Sequence, residues 1–158
     1  MHFKLLVRIF LTIFLIACSS QSRSKTNSRD YINAAFRAAI CNGSELLETQ
    51  TLANQFDASI MDETRKYKCD GSYMTNFFVG GKMNNGFRTE VLIDERKTPI
   101  NTFFKVGGLL SSVEKSLGHP DEIDGDKYIF NLDESYTELL VFISDGVVKK
   151  IIWRSPVD

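Results

Sequence analysis

The sequence predicts an α+β fold: short helices packed on an antiparallel sheet, with 30–98 and 99–158 as candidate small helix-plus-sheet units. Three observations carry this reading. Ile32, Ala35, Phe36, Ala39 and Ile40 recur at helical spacing and form one apolar stripe. Ser111, Glu114, Gly118 and Pro120 punctuate a second short helix as start and stop signals. Apolar and aromatic runs lie between turn dipeptides, among them Asp70-Gly71 and Asp145-Gly146, as in antiparallel hairpins. An apolar fraction of 43% with 25% charged residues is ordinary for a globular domain.

The chain opens with Lys4 and Arg8 and an apolar run from Ile9 to Ala17. That run falls short of the roughly 20 apolar residues needed to cross a bilayer. It suits a signal peptide over 1–17, with a charged start, a short apolar centre and a small residue before the cut. Leu15-Ile16-Ala17-Cys18 resembles the lipobox of bacterial lipoproteins. The resemblance implies that Cys18 carries the lipid and becomes the first mature residue. The alternative is an ordinary cleaved signal in which Cys18 is incidental. Several acyl chains would satisfy the two-signal requirement for stable anchoring. Ser19 follows, and under the sorting rule of such lipoproteins a residue other than aspartate implies the outer membrane, periplasmic face. Without Lys4 and Arg8 the chain keeps 17 basic and 20 acidic side chains, a net of −3. That balance gives no electrostatic footprint for nucleic acid.

Residues 18–29 read as the lipidated cysteine and a flexible tether. Ser19 to Arg29 contains no apolar residue, and as a flexible coil it would reach roughly 18 Å. A helix is expected from Asp30, its N-cap, to a stop at Asn42-Gly43. Ser44 is expected to cap a second helix, with Leu46, Ala53, Phe56 and Ile60 near one face. Cys41 and Cys69 remain once Cys18 is lipidated, and an even pair in an exported chain reads as a disulfide. Free buried thiols and a redox pair are the alternatives, although neither cysteine sits in a Cys-x-x-Cys. A disulfide here would stabilise by about 3 to 4 kcal/mol on the chain-entropy model.

Strands are expected over Lys66–Cys69, Tyr73–Val79 and Phe87–Ile93, separated by Asp70-Gly71 and Asn84-Asn85-Gly86. A charged loop, Asp94 to Pro99, leads to an extended run from Ile100 to Val106. In the last third, Ser111 and Glu114 fit a capping box, and Gly118 with Pro120 ends that helix. Further strands are expected over Tyr128–Leu132, Thr137–Ser144 and Val147–Arg154. Asp145-Gly146 joins the last two with the signature of a type I′ turn.

Gly107-Gly108, Val113, Leu117-Gly118-His119-Pro120, Tyr128, Leu140-Val141-Phe142, Asp145-Gly146-Val147-Val148 and Trp153 together resemble the SmpA/OmlA (BamE-type) outer-membrane lipoprotein domain. The match spans roughly Phe103 to Trp153. It implies a small α+β unit of the kind also found in β-lactamase inhibitory protein, and a role in assembling the outer membrane. Residues from Asp30 to Thr98 depart from the family pattern and are a candidate second copy of the unit.

Little in the chain points to catalysis. His119 is the one histidine outside the signal segment, and it stands in a turn. Gly-x-Ser-x-Gly is absent, and zinc would need more ligands than His119 offers. Asp121, Glu122, Asp124 and Asp126 cluster around Gly125, but their spacing fails the calcium-loop pattern. They are read as solvated turn residues and as candidate partner-binding residues. The paired glycines lack a phosphate-cradling pattern. Phe77, Phe78, Phe87, Phe103 and Phe104 form either sheet core or a binding face. The expectation is a non-enzymatic lipoprotein with no cofactor or metal. It would be held by its lipid at the outer membrane and would meet a protein partner there in envelope assembly or integrity. The alternative is an inhibitor or immunity protein against an envelope-directed toxin or hydrolase.

Overall fold

The computed structural model describes residues 28–41, 43–82, 86–96, 100, 104–134 and 136–156. Two α-helices, α1 (28–38) and α2 (Leu110–Leu117), pack on an eight-stranded antiparallel sheet. The strands are β1 (Glu45–Ala53), β2 (Met61–Cys69), β3 (Ser72–Phe78), β4 (Gly86–Ile93), β5 (Glu122–Asp124), β6 (Lys127–Asn131), β7 (Glu138–Ser144) and β8 (Val147–Arg154). Their spatial order is β1-β2-β3-β4-β8-β7-β6-β5. Each set of four strands is a meander, and the last strands of the two meanders pair with each other through Val91↔Trp153 and Leu92↔Ile152. The fold is therefore mixed α+β, with strands outweighing helices.

Both helices cover one face of the sheet. Ile32, Phe36, Val113 and Leu117 share a single buried cluster with Met74, Val91, Phe130, Val141, Ile151 and Trp153. The period-2 alternation of strands explains this selection, because alternate residues point to one face. Phe36 stacks on Trp153 with ring centroids 6.2 Å apart. The indole N–H of Trp153 donates to Asn33 Oδ1 at 3.1 Å, which satisfies a buried donor in the middle of the core. Cys41 and Cys69 are joined in a disulfide with Cα atoms 5.1 Å apart, tying the chain after α1 to the end of β2. Arg88 of β4 donates from one nitrogen to the carbonyls of Phe36 and Arg37, each at 3.0 Å. A cation there suits the negative end of α1, and burial lowers the Arg88 pKa from its ordinary value.

The expected helix after Ser44 is a strand instead. β1 pairs along its length with β2, and Glu45 and Glu48 face Lys68 and Lys66. Opposite charges across neighbouring strands, together with β-branched Thr49 and Thr51, favour the sheet. The apolar spacing that suggested a helix buries nothing: Leu46, Phe56 and Ile60 are all exposed. β2 consequently starts five residues before the expected Lys66. α1 is already helical at 28, ahead of the expected N-cap Asp30, and ends before Ala39.

The capping box at Ser111 also does not form. α2 begins at Leu110, its N-cap is Leu109, and no side chain caps it. The start is set by tertiary pairing: Leu109 bridges Val147, and the Leu110 amide donates to the Gly146 carbonyl at 2.9 Å. Gly118 does close the helix, with φ at +80°. The Asp145-Gly146 hairpin has positive φ at both residues, as a type I′ turn requires. Ile100, Phe104 and Val106 are buried but belong to no strand.

Candidate functional site: the helix-free sheet face

Among the described residues no helix covers the second face of the sheet, and the register between strands defines what that face displays. Tyr73, Leu92, Ile152, Leu140 and Ile129 are successive cross-strand neighbours from β3 to β6. They form an apolar row across both meanders. None of them belongs to the core cluster beneath the helices. The next row reads Thr75, Glu90, Arg154, Glu138 and Asn131. In it, Arg154 Nε donates to Glu138 at 2.7 Å. On the other side of the apolar row, Phe142 faces Lys127 and Lys150, and the Lys150 ammonium stands 4.3 Å from the Phe142 ring centre. Phe77 and Phe87 meet at 5.4 Å between centroids.

This combination is chemically suited to a macromolecular contact. An apolar centre bordered by paired charges and aromatic rings resembles the core and rim of protein interfaces. Leu140 and Ile129 are already buried, whereas Tyr73, Leu92 and Ile152 are half-buried and Phe87 is exposed. The surface therefore thins from β6 toward β3, and the aromatic pair marks its more open side.

The residues singled out in the sequence are dispersed. Cys18 lies outside the described residues, as do the signal segment and most of the tether. Asp121 receives Arg29 Nη1 at 2.7 Å and the Asn131 amide at 2.8 Å. Asp124 is paired with Lys127 at 2.7 Å, which holds its carboxyl below the usual range and raises the Lys127 pKa. Glu122 is exposed on β5, and Asp126 sits in the β5–β6 turn, where its carbonyl accepts the Ile143 amide. Two of the four acids are thus neutralised within the molecule. His119 is 88% exposed, with Glu114 at 3.9 Å. Phe78 packs on the helix side, where Arg65 stands 4.8 Å from its ring centre and the missing Cβ of Gly86 makes room for it. Phe104 is buried and Phe103 lies outside the described residues. Among the described residues no group of three or more His, Cys, Asp or Glu side chains is placed to hold a metal, and no helix is long and apolar enough to cross a membrane.

Sequence reading missed Arg29 altogether. It reads as tether, yet its guanidinium also donates to the carbonyls of Leu117, Asn131 and His119 at 3.2, 2.8 and 3.2 Å. Its partners lie 88 or more residues away, so no local signal reports them. The row on the open face was also missed, although alternation in 138–144 and 147–154 carries it. Compared with known proteins, the chain matches no family model, no curated protein and no solved structure.

Proposed function

We propose that this chain is a lipid-anchored protein of the outer membrane, facing the periplasm, that acts without catalysis by binding another protein in envelope assembly or integrity. The observation that carries the binding role is the helix-free face, with its apolar row bordered by Arg154, Glu138 and the Phe142–Lys150 contact. The lipid anchor rests on the lipobox-like Leu15-Ile16-Ala17-Cys18. The order of elements, one helix then four strands followed by one helix then four strands, supports two copies of a single unit joined at β4 and β8. That arrangement fits the resemblance of 103–153 to the SmpA/OmlA (BamE-type) domain and extends the same unit to 30–98. The inhibitor or immunity reading draws less support, because two of the four candidate partner-binding acids, Asp121 and Asp124, already have cationic partners in the fold.

A photo-crosslinking residue at Leu92 or Ile152, in intact cells, tests the reading, with Cys18→Ala as control. The expected result is crosslinking to resident envelope proteins from the wild-type anchor and loss of those adducts in the control. No adduct from either position would overturn the binding role. Capture of one secreted enzyme in equal amount would replace it with the inhibitor reading.

A further inference from the structure

We propose that the outer edge of β1 takes up an extended segment of a protein partner as a ninth strand, with a Lys or Arg of that segment seated in an acidic cleft at the start of β1. This is a second surface, independent of the lipid anchor and of the role given to the helix-free face.

The two edges of the sheet are handled differently. β5 has three residues, two of them acidic, and follows Pro120 closely. Short length, charge and proline are the usual means of keeping a sheet edge from pairing. β1 has nine residues, all exposed, and no Lys or Pro. Among the described residues it pairs with β2 alone. One set of its backbone N–H and C=O groups therefore faces outward, and a strand is the partner such a row fits. Its single irregularity falls between Leu46 and Glu48, so Glu48 to Ala53 continues in regular register.

The chemistry of the partner follows from the side chains along that edge. On the helix-free side β1 presents Glu45, Glu48, Gln50 and Leu52, as their cross-strand partners Lys68, Lys66, Thr64 and Asp62 show. Glu45 also lines a cleft of about 330 Å³ with Asp70, Glu95, Lys68 and Gly43. Three carboxylates against one ammonium leave that cleft acidic. A ligand strand that matches this edge carries a cation near Glu45 and Glu48 and an apolar residue beside Leu52, exposed at 52%. Cross-strand pairs of this kind are what select one strand over another.

The test uses the full chain in detergent micelles and a fluorescent nonapeptide of alternating Thr and Val with Lys at both ends. Binding is read by anisotropy, and its location by amide hydrogen exchange. The Lys peptide should bind and slow exchange at alternate amides of 48–53. A peptide with Glu in place of Lys should bind about tenfold more weakly, and Glu45→Lys should invert that order. N-methylation of alternate peptide amides should abolish binding, as should Gln50→Pro in the protein. Glu45→Lys is a surface change and keeps the test valid if the proline variant fails to fold. No binding, binding indifferent to Glu45→Lys, or protection on the sheet face instead of β1 would overturn the proposal. So would a dimer whose β1 amides are protected without peptide, because the edge would then belong to a second copy of this chain.

Discussion

The two meanders are built on one plan but finished differently. Strands β6, β7 and β8 are roofed by α2 and by the first turns of α1. Arg29, Asn33 and Arg37 of α1 bond to Asp121, Asp133, Thr137 and Trp153. Leu139, Val141, Val148, Ile151 and Trp153 are essentially closed to solvent. In the first meander, β4 and the adjoining part of β3 share this core, whereas β1 is exposed from end to end. Leu46, Leu52, Phe56 and Met61 stay in water nearby. Among the described residues, both helices thus serve the second meander and the junction, and neither covers β1. Shared topology does not impose shared packing. One half is a scaffold, and the other keeps exposed backbone and apolar side chains available.

The sharpest way to break this contrast is to remove the core of the packed half. Trp153→Ala deletes the ring stacked on Phe36 and leaves Asn33 Oδ1 with Arg37 Nε as its remaining donor. The expected loss is about 3 to 5 kcal/mol of unfolding free energy, read from urea titration. By contrast, Leu52→Ser on β1 should move stability by about 0.5 kcal/mol or less, because its side chain is already half in solvent. Equal losses at the two positions would show that β1 is covered and would remove the distinction. A loss at the lower end of the Trp153→Ala range is expected from Cys41→Ser with Cys69→Ser, which releases the link between the chain after α1 and β2. The chain-entropy model gives about 3 to 4 kcal/mol for a loop of this size. The extra opening should appear as faster amide exchange in β1 and β2, with β7 and β8 little changed.

How legible each half was follows the same division. The Asp145-Gly146 hairpin and its two strands were readable because turn chemistry, alternation and burial agree there. Strand β8 carries the expected bounds, Val147–Arg154. The disulfide was readable from two cysteines in a chain whose start reads as an export signal. β1 was misread because its apolar residues do not report burial: Leu46 and Leu52 sit on opposite faces after the register shift at Leu47. A periodicity argument assumes a buried side, and this strand has none. The capping box failed for a related reason. Ser111 and Glu114 are good capping residues, but the helix start is fixed by Leu109 and Leu110 pairing with the β7–β8 hairpin, a tertiary contact that overrides local preference. On the binding side, the Phe77–Phe87 pair was visible as aromatic content. The apolar row of Tyr73, Leu92, Ile152 and Leu140 depends on the β4–β8 junction, which no local pattern announces.

Arg29 offers an intermediate effect that tests how α1 is held over the packed half. Its side chain is 19% exposed and donates to Asp121 and to three carbonyls. Arg29→Met keeps most of the stem and removes every donor. A loss of about 1.5 to 3 kcal/mol is expected, as for hydrogen bonds to a charged group. Much of it comes from leaving Asp121 with the Asn131 amide alone. Asp121→Asn should cost less, because the carbonyls of Leu117, His119 and Asn131 still receive the guanidinium. A double-mutant cycle that returned simple additivity would show that the two side chains do not act together.

The smallest effect separates the two halves by the cause of a pKa shift. Asp57, in the β1–β2 loop, is held below its ordinary 3.8 by the Ser59 hydroxyl and then the Ser59 amide. Asp124, in the second meander, is held below 3.8 by the hydrogen bond from Lys127 and then by its charge. In both cases the folded carboxyl ionises more readily than the unfolded one. Each therefore adds stability above pH 3.8 that is lost as the pH falls through its folded pKa. The two differ in their response to salt. A charge pair on the surface is screened once the Debye length shrinks to about 3 Å near 1 M salt, whereas bonds from a neutral hydroxyl and an amide are not. Carboxyl NMR titration in high salt should return part of the Asp124 shift toward 3.8 and leave the Asp57 value where it was. If both move together, the loop that carries Phe56 is held by charge instead of by its Asn54 and Asp57 side-chain bonds, and the exposed half is less firmly built than its geometry indicates.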